Sequence, residues 1–168
     1  MQPSENTAAT IRVMFVCLGN ICRSPTAHGV FQGLVIQRGL QDKIEVASSG
    51  TGDWHIGHAP DKRASLEAKR RGYDLSTLRA QQIVEDDFHN FDYLLAMDKT
   101  NLADLQAMRP PGARAKLALF LDYSPADAEQ EVPDPYYGGD AGFAHVFNLV
   151  ERASEGLLQE ISHAHFAP

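Results

Sequence analysis

Cysteine is scarce in this chain of 168 residues: there are two, Cys17 and Cys22, separated by four residues. Two thiols in one loop cannot staple a fold, and without a second paired cluster they make a poor zinc set. A reducing, cytoplasmic setting is the expectation. Basic charge is also short, with 15 Lys and Arg against 22 Asp and Glu and a net charge of −7, which argues against nucleic acid as a partner. No run of 18 apolar residues occurs, so no membrane span and no membrane partner are expected. The opening stretch MQPSENTAAT has neither the basic nor the apolar region of a secretion signal. Residues 1–10 read as a polar, disordered tail ahead of one domain over residues 11–168.

What is present is an ordinary core, 43% apolar, arranged periodically. Short runs rich in Val, Ile, Leu or Phe at 12–17, 44–48, 92–97 and 116–121 read as strands. Helical spacing separates them. Ala27, Val30, Phe31 and Leu34 define one helix, stopped by Gly39, and a second runs from about Asp61 to Arg71 before Gly72. A third carries Leu102, Leu105 and Met108 ahead of Pro110. The last places Phe143, Val146, Phe147, Val150, Leu157 and Ile161 on one side. Alternating strands and helices imply an α/β domain with a parallel sheet covered on both faces. Ligands in such sheets bind beyond the carboxyl ends of the strands, where the strand order reverses.

Cys17 lies at such an end, in the stretch VMFVCLGNICRSPTAHGVF over residues 13–31. Cys17 to Arg23 is C-x5-R, a loop whose amides can converge on one tetrahedral anion. The helix beginning near Ser24 aims its positive end at the same point. Gly19 and Asn20 tolerate the turn conformations such a nest needs, and Arg23 offers a planar fork for two phosphate oxygens. The same field favours a thiolate at Cys17, and Ser24 can donate to it. Cys17 alone would read equally well as a small core residue. Loop, arginine, serine and helix start together point to an anion held beside a nucleophile.

The segment VCLGNICRSP resembles the signature of the low-molecular-weight protein tyrosine phosphatases, C-x-G-N-x-C-R-S-P. The segments SSGTGDWHIG (48–57), APDKRA (59–64), FDYLLAMDKTNLADL (91–105) and VPDPYYGG (132–139) also follow that family's order. The resemblance covers about residues 11–162. It implies a single three-layer domain with a four-stranded parallel sheet in order 2-1-3-4. The activity implied is hydrolysis of phosphotyrosine in proteins or peptides through a phosphocysteine intermediate. Cys17 would be the nucleophile, Arg23 the charge clamp, and Leu18, Gly19, Asn20, Ile21, Cys22, Arg23 and Ser24 the phosphate cradle. No cofactor or metal is implied, since Arg23 and the loop amides hold the phosphoryl charge. Inorganic phosphate would inhibit as product, and the protein would be a monomer or weak dimer.

Expelling a phenolate needs a proton donor opposite the sulfur, and the loop contains no acid. A Pro-Asp-Pro segment in isolation is usually a turn. Beside the resemblance, Asp134 becomes the expected general acid, partly desolvated by Tyr136 and Tyr137 and kept protonated by burial and by the substrate dianion. Trp54, Tyr136, Tyr137 and Ile21 would wall the cleft. Relatives acting on phosphoarginine carry Thr where this chain has Ile21, which leans the reading towards phosphotyrosine. The seven histidines form no metal motif, and His55 and His58 read as surface residues. Asp98 reads as a helix N-cap. A histidine that braces the loop asparagine in the family is Leu78 here, leaving Ser48 as a candidate partner for Asn20. Cys22 either packs under the loop or traps oxidised Cys17 as a disulfide.

Three other readings use similar parts. An arsenate reductase of this fold needs further cysteines, and none follows Cys22. A phosphocysteine carrier would not need Asp134, and a plain phosphate-binding module would need neither Cys17 nor Asp134.

Overall fold

A computed structural model describes residues 10–124, 129–135 and 139–166, without the side chain of Asp140. The expected tail, residues 1–9 of it, and the cleft residues Tyr136 and Tyr137 lie outside the described residues. The chain runs β1 (Ile11–Cys17), α1 (Arg23–Gln37), β2 (Ile44–Gly50), α2 (Lys62–Arg70), α3 (Glu85–Asn90), β3 (Tyr93–Ala96), α4 (Lys99–Met108), β4 (Lys116–Leu119) and α5 (Asp140–Ile161). Short helical turns follow β4 at Phe120–Tyr123 and α5 at Ser162–Phe166.

The four strands pair in parallel in the order β2-β1-β3-β4, as the resemblance implied. The chain leaves β1 in one direction to form β2 and crosses to its other side for β3. The strand order therefore reverses beside β1, and Cys17 ends that strand.

Alternation along β1 divides the core. Val13, Phe15 and Cys17 face the layer of α1, α2 and α5, whereas Met14 and Val16 face the layer containing Phe88 and Leu105 of α3 and α4. Phe15 is fully buried and meets Phe31 and Phe120 edge-on, with ring centroids 5.7 and 4.9 Å away. Burial of such a ring contributes roughly 1.5–3 kcal/mol, and edge-to-face contact fixes its orientation.

The helix signals act as expected at α1 and α2: Gly39 and Gly72 adopt φ of 70° and 92° just past their ends, and the Asp61 carboxylate caps the Arg63 amide. All six apolar residues expected inward on α5 are buried. Met108 departs from expectation, being 40% exposed at the end of α4. The six-residue α3 has one buried residue, Phe88, so its apolar period is too short to read from sequence. Its start is held by the Asp87 carboxylate, which accepts from the Val84 amide.

Candidate active site

The loop between β1 and α1 is pinned from outside by its carbonyls. Those of Cys17, Leu18 and Ile21 accept from the amides of Thr51, Gly52 and Asp61 at 2.9, 2.9 and 2.8 Å. The Cys22 carbonyl accepts from the Thr26 amide at 3.1 Å and the Thr26 hydroxyl at 2.7 Å. In a trans peptide the carbonyl and the following N–H point opposite ways. The amides of Leu18, Gly19, Cys22 and Arg23 therefore turn away from those donors, towards the hollow of the loop. Gly50 makes this approach possible: a Cβ there would lie 2.6 Å from the Leu18 carbonyl oxygen and 3.2 Å from the Asn20 nitrogen.

Asn20 has a φ of 59°, the one positive value at a non-glycine among the described residues. Such a conformation costs about 1–3 kcal/mol and persists where surrounding contacts fix it. Its side chain donates to Ser24 Oγ at 2.7 Å and accepts from the Gln81 amide at 2.9 Å. Its own amide donates to Cys17 Sγ at 3.2 Å, and Ser24 Oγ lies 3.0 Å from the same sulfur. Ser48, the partner expected for Asn20, instead meets His28 Nδ1 at 3.0 Å. Gln81 fills the bracing role with a backbone N–H, a contact no side-chain motif could reveal.

Arg23 is 5% exposed. Its Nη1 donates to Asp98 Oδ2 at 2.6 Å and to the Val132 carbonyl at 3.1 Å, and its Nη2 lies 3.8 Å from Asp134 Oδ2. Burial alone would lower the guanidinium pKa. The Cys17 sulfur, the Asp98 hydrogen bond and the two carboxylates outweigh it, so the pKa is held above its usual value. The other Asp98 oxygen accepts from the Asn101 amide at 2.7 Å, which is the N-cap contact expected of it. Asp98 therefore holds α4 and Arg23 at once, and its sequence context signals only the first of these roles. Asp134 reaches the site because the Val132 amide donates to the Met97 carbonyl at 2.8 Å, just beyond β3. Among the described residues its carboxylate is 47% exposed, and Tyr136 and Tyr137, expected to cover it, lie outside them. Cys22 is buried, and desolvation followed by the fields of Asp61, Cys17 and Asp134 pushes its thiol above the ordinary range.

Residues Cys17 to Arg23, Trp54, His55 and Asp134 line one cleft. Ile21 and Trp54 are brought together as expected. His55, read as a surface residue, lies in the wall and packs over Gly19. Trp54 is 65% exposed, and its ring rests on Gly52, where a Cβ would stand 1.7 Å from the ring.

Residues 12–165 match the family model described as low molecular weight phosphotyrosine protein phosphatase. The chain belongs to the low molecular weight phosphotyrosine protein phosphatase family. A protein of that name from Schizosaccharomyces pombe is 42% identical over 153 residues, covering 90% of this chain and 97% of the relative. The crystal structure of a protein tyrosine phosphatase from Entamoeba histolytica superposes with a TM-score of 0.89 at 37% identity, over 92% of this chain and 99% of that one. A structure described as a Drosophila arginine phosphatase gives a TM-score of 0.84 at 33% identity, over 89% and 97% of the two chains. This backbone is thus shared with one solved protein described as a tyrosine phosphatase and one described as an arginine phosphatase.

Proposed function

We propose that this phosphatase hydrolyses phosphotyrosine in proteins or peptides through a phosphocysteine intermediate. The observation that carries the reading is the placement of the Cys17 sulfur, the Arg23 fork and the Asp134 carboxylate around one cleft. The phosphoryl group sits in the loop, its oxygens on the inward amides and Arg23. The Cys17 sulfur attacks phosphorus and the phosphorus–phenol bond breaks, while Asp134 gives its proton to the departing phenol oxygen. Water then attacks phosphorus, Asp134 takes a proton from it, and the sulfur–phosphorus bond breaks to release phosphate. Donors preset around the developing charge are the main source of acceleration in such a site.

The wall residues Ile21 and Trp54 favour an aromatic substrate: an apolar side chain beside the loop and a flat ring at the rim suit a phenol better than a guanidinium. Tyr136 and Tyr137 belong to the same proposed wall. Free phosphate competes for the loop as product, the protein acts as a monomer or weak dimer, and its free thiols suit the reducing cytoplasm. Residues 11–168 form the catalytic domain. Among the described residues no helix is long and apolar enough to cross a membrane.

Rapid quenching with a ³²P-labelled phosphotyrosine peptide tests the reading. Label on the Cys17 peptide and its absence in Cys17→Ser are expected. Cys17→Ser should still bind phosphate, whereas Arg23→Ala should lose both binding and turnover. Near-normal turnover by Cys17→Ser would sink the covalent route, and faster hydrolysis of phosphoarginine than phosphotyrosine would overturn the substrate.

A further inference from the structure

The mechanism above uses no histidine, yet His28 sits behind the loop with its ring desolvated and a single described hydrogen bond, to Ser48 Oγ at 3.0 Å. His28 follows Ser24 by four residues on α1, so the two side chains lie one turn apart on one face. Ser24 holds Asn20 and the Cys17 sulfur and reaches the Ser49 carbonyl at 3.3 Å. His28 grips the adjacent residue of β2. The chain of contacts then continues. The Ser48 carbonyl accepts from Gln81 Nε2 at 2.9 Å, and the Gln81 amide donates to Asn20 Oδ1 at 2.9 Å. The Gln81 carbonyl in turn accepts from the Gly50 amide at 2.8 Å, under the loop.

We propose that His28, acting through Ser48 and Gln81, is a positioning residue that holds Asn20 and thereby the anion-binding loop; the proposal rests on the phosphatase reading above. An aliphatic side chain would fill the same space without the desolvation of a polar ring. The ring is matched to Ser48, and polar groups behind a loop fix it more sharply than apolar packing does. Burial drops the His28 pKa to about 4, so at neutral pH the ring is uncharged, and no nearby charge contributes to that shift. Asn20 requires such support because its backbone is held in the left-handed region. Leu78 packs against the core and has no polar atom with which to share the task.

The test compares His28→Leu, His28→Asn, Ser48→Ala and the double variant His28→Leu with Ser48→Ala in the full chain. Asparagine places a polar atom near that of Nδ1. Each protein is checked for folding by circular dichroism and assayed for inorganic phosphate binding by calorimetry and for hydrolysis of an aryl phosphate. Loosening the loop by a fraction of an ångström is expected to weaken phosphate binding and lower kcat/KM by on the order of 10-fold in His28→Leu. Ser48→Ala should match it, the double variant should lose no more than either single one, and His28→Asn should recover most of the loss. Phosphate affinity unchanged in both His28→Leu and Ser48→Ala, additive losses, or no recovery by asparagine would overturn the proposal. If wild type binds phosphate but hydrolyses no aryl phosphate, the phosphatase reading fails while the calorimetry still decides the role of His28.

Discussion

Asp98 Oδ2 accepts from Arg23 Nη1 at 2.6 Å while its other oxygen caps α4 at the Asn101 amide. One carboxylate thus ties the arginine of the loop to the first turn of a helix on the opposite sheet face. Asn is as good an N-cap as Asp, so Asp98→Asn separates the two ties. If the cap is kept, the amide nitrogen turns towards Arg23, and donor faces donor. We expect kcat/KM for an aryl phosphate to fall on the order of 10-fold or more with little change in Tm. Asp98→Ala should add a loss of roughly 1 kcal/mol in stability from the missing cap. Equal activity of Asp98→Asn and wild type would assign Asp98 to the helix alone.

Asp134 is tested by leaving group. Asp134→Asn should slow hydrolysis of a poor leaving group such as tyrosine by roughly 10²–10⁴-fold, as expected when a general acid is removed. An activated phenol, which departs without a proton, should lose far less. The comparison is needed because the carboxylate is 47% exposed and 3.8 Å from Arg23, a position that also suits a purely electrostatic part in the site. Equal losses for the two leaving groups would point to that part instead.

The fold and the chemical centre are legible in the sequence because they rest on periodicity and on a contiguous motif. Strand and helix signals locate β1, α1 and α5, and Cys17, Arg23 and Ser24 lie within eight residues of one another. Gln81, Gly50 and the second role of Asp98 are not legible, each for its own physical reason. Each acts by a backbone atom, by the lack of a side chain, or across a long separation in sequence. The α3 helix escapes because one buried phenylalanine in six residues makes no period. The exposure of Asp134 is not legible either, since it depends on neighbours the motif does not specify.

Gly50 illustrates the hidden class and gives a further test. A methyl group there would meet the Leu18 carbonyl oxygen at 2.6 Å, and the obstacle is backbone that cannot rotate aside. Gly50→Ala should therefore push the loop off the end of β2. We expect a protein that remains folded, with phosphate affinity and aryl phosphate turnover both reduced at least tenfold, a scale set by misplacements near 1 Å. Calorimetry with inorganic phosphate checks the binding half. Unaltered affinity would show that the loop yields without opening its nest.

The pH dependence of stability follows from His28. Its pKa is lowered by burial to about 4 from an ordinary value of 6.5. The unfolded chain therefore binds this proton more readily than the folded one. The stability contributed by neutral His28 is fully present above about pH 6.5. It declines as pH falls and is largely lost by about pH 4, with a total on the order of 3 kcal/mol. Carboxylates titrate in part of the same window, so the quantity to measure is the difference in urea stability between wild type and His28→Asn. That difference should shift against wild type from pH 6.5 to 4 and stay constant above. A flat difference across the window would mean the ring is hydrated in the folded protein.

Oxidation separates the two cysteines of the loop. Both are buried in one cluster and border the cleft, but the Cys17 sulfur accepts from the Asn20 amide and lies beside Ser24 Oγ, whereas the Cys22 thiol is held protonated by burial and by Asp61. Peroxide should therefore attack Cys17 first, giving a sulfenic acid and water. The Cys22 thiol can then displace the hydroxyl, forming a Cys17–Cys22 disulfide and releasing a second water, and a thiol reductant restores both. Because a protonated thiol is a weak nucleophile, this closure should quicken as pH rises. We expect inactivation by peroxide, protection by phosphate, and recovery with reductant in wild type. Cys22→Ser should keep appreciable activity but recover poorly, as its Cys17 passes on to the sulfinic acid. Full recovery of Cys22→Ser, with no Cys17–Cys22 bond in peptide maps of oxidised wild type, would reduce Cys22 to a packing residue beneath the loop.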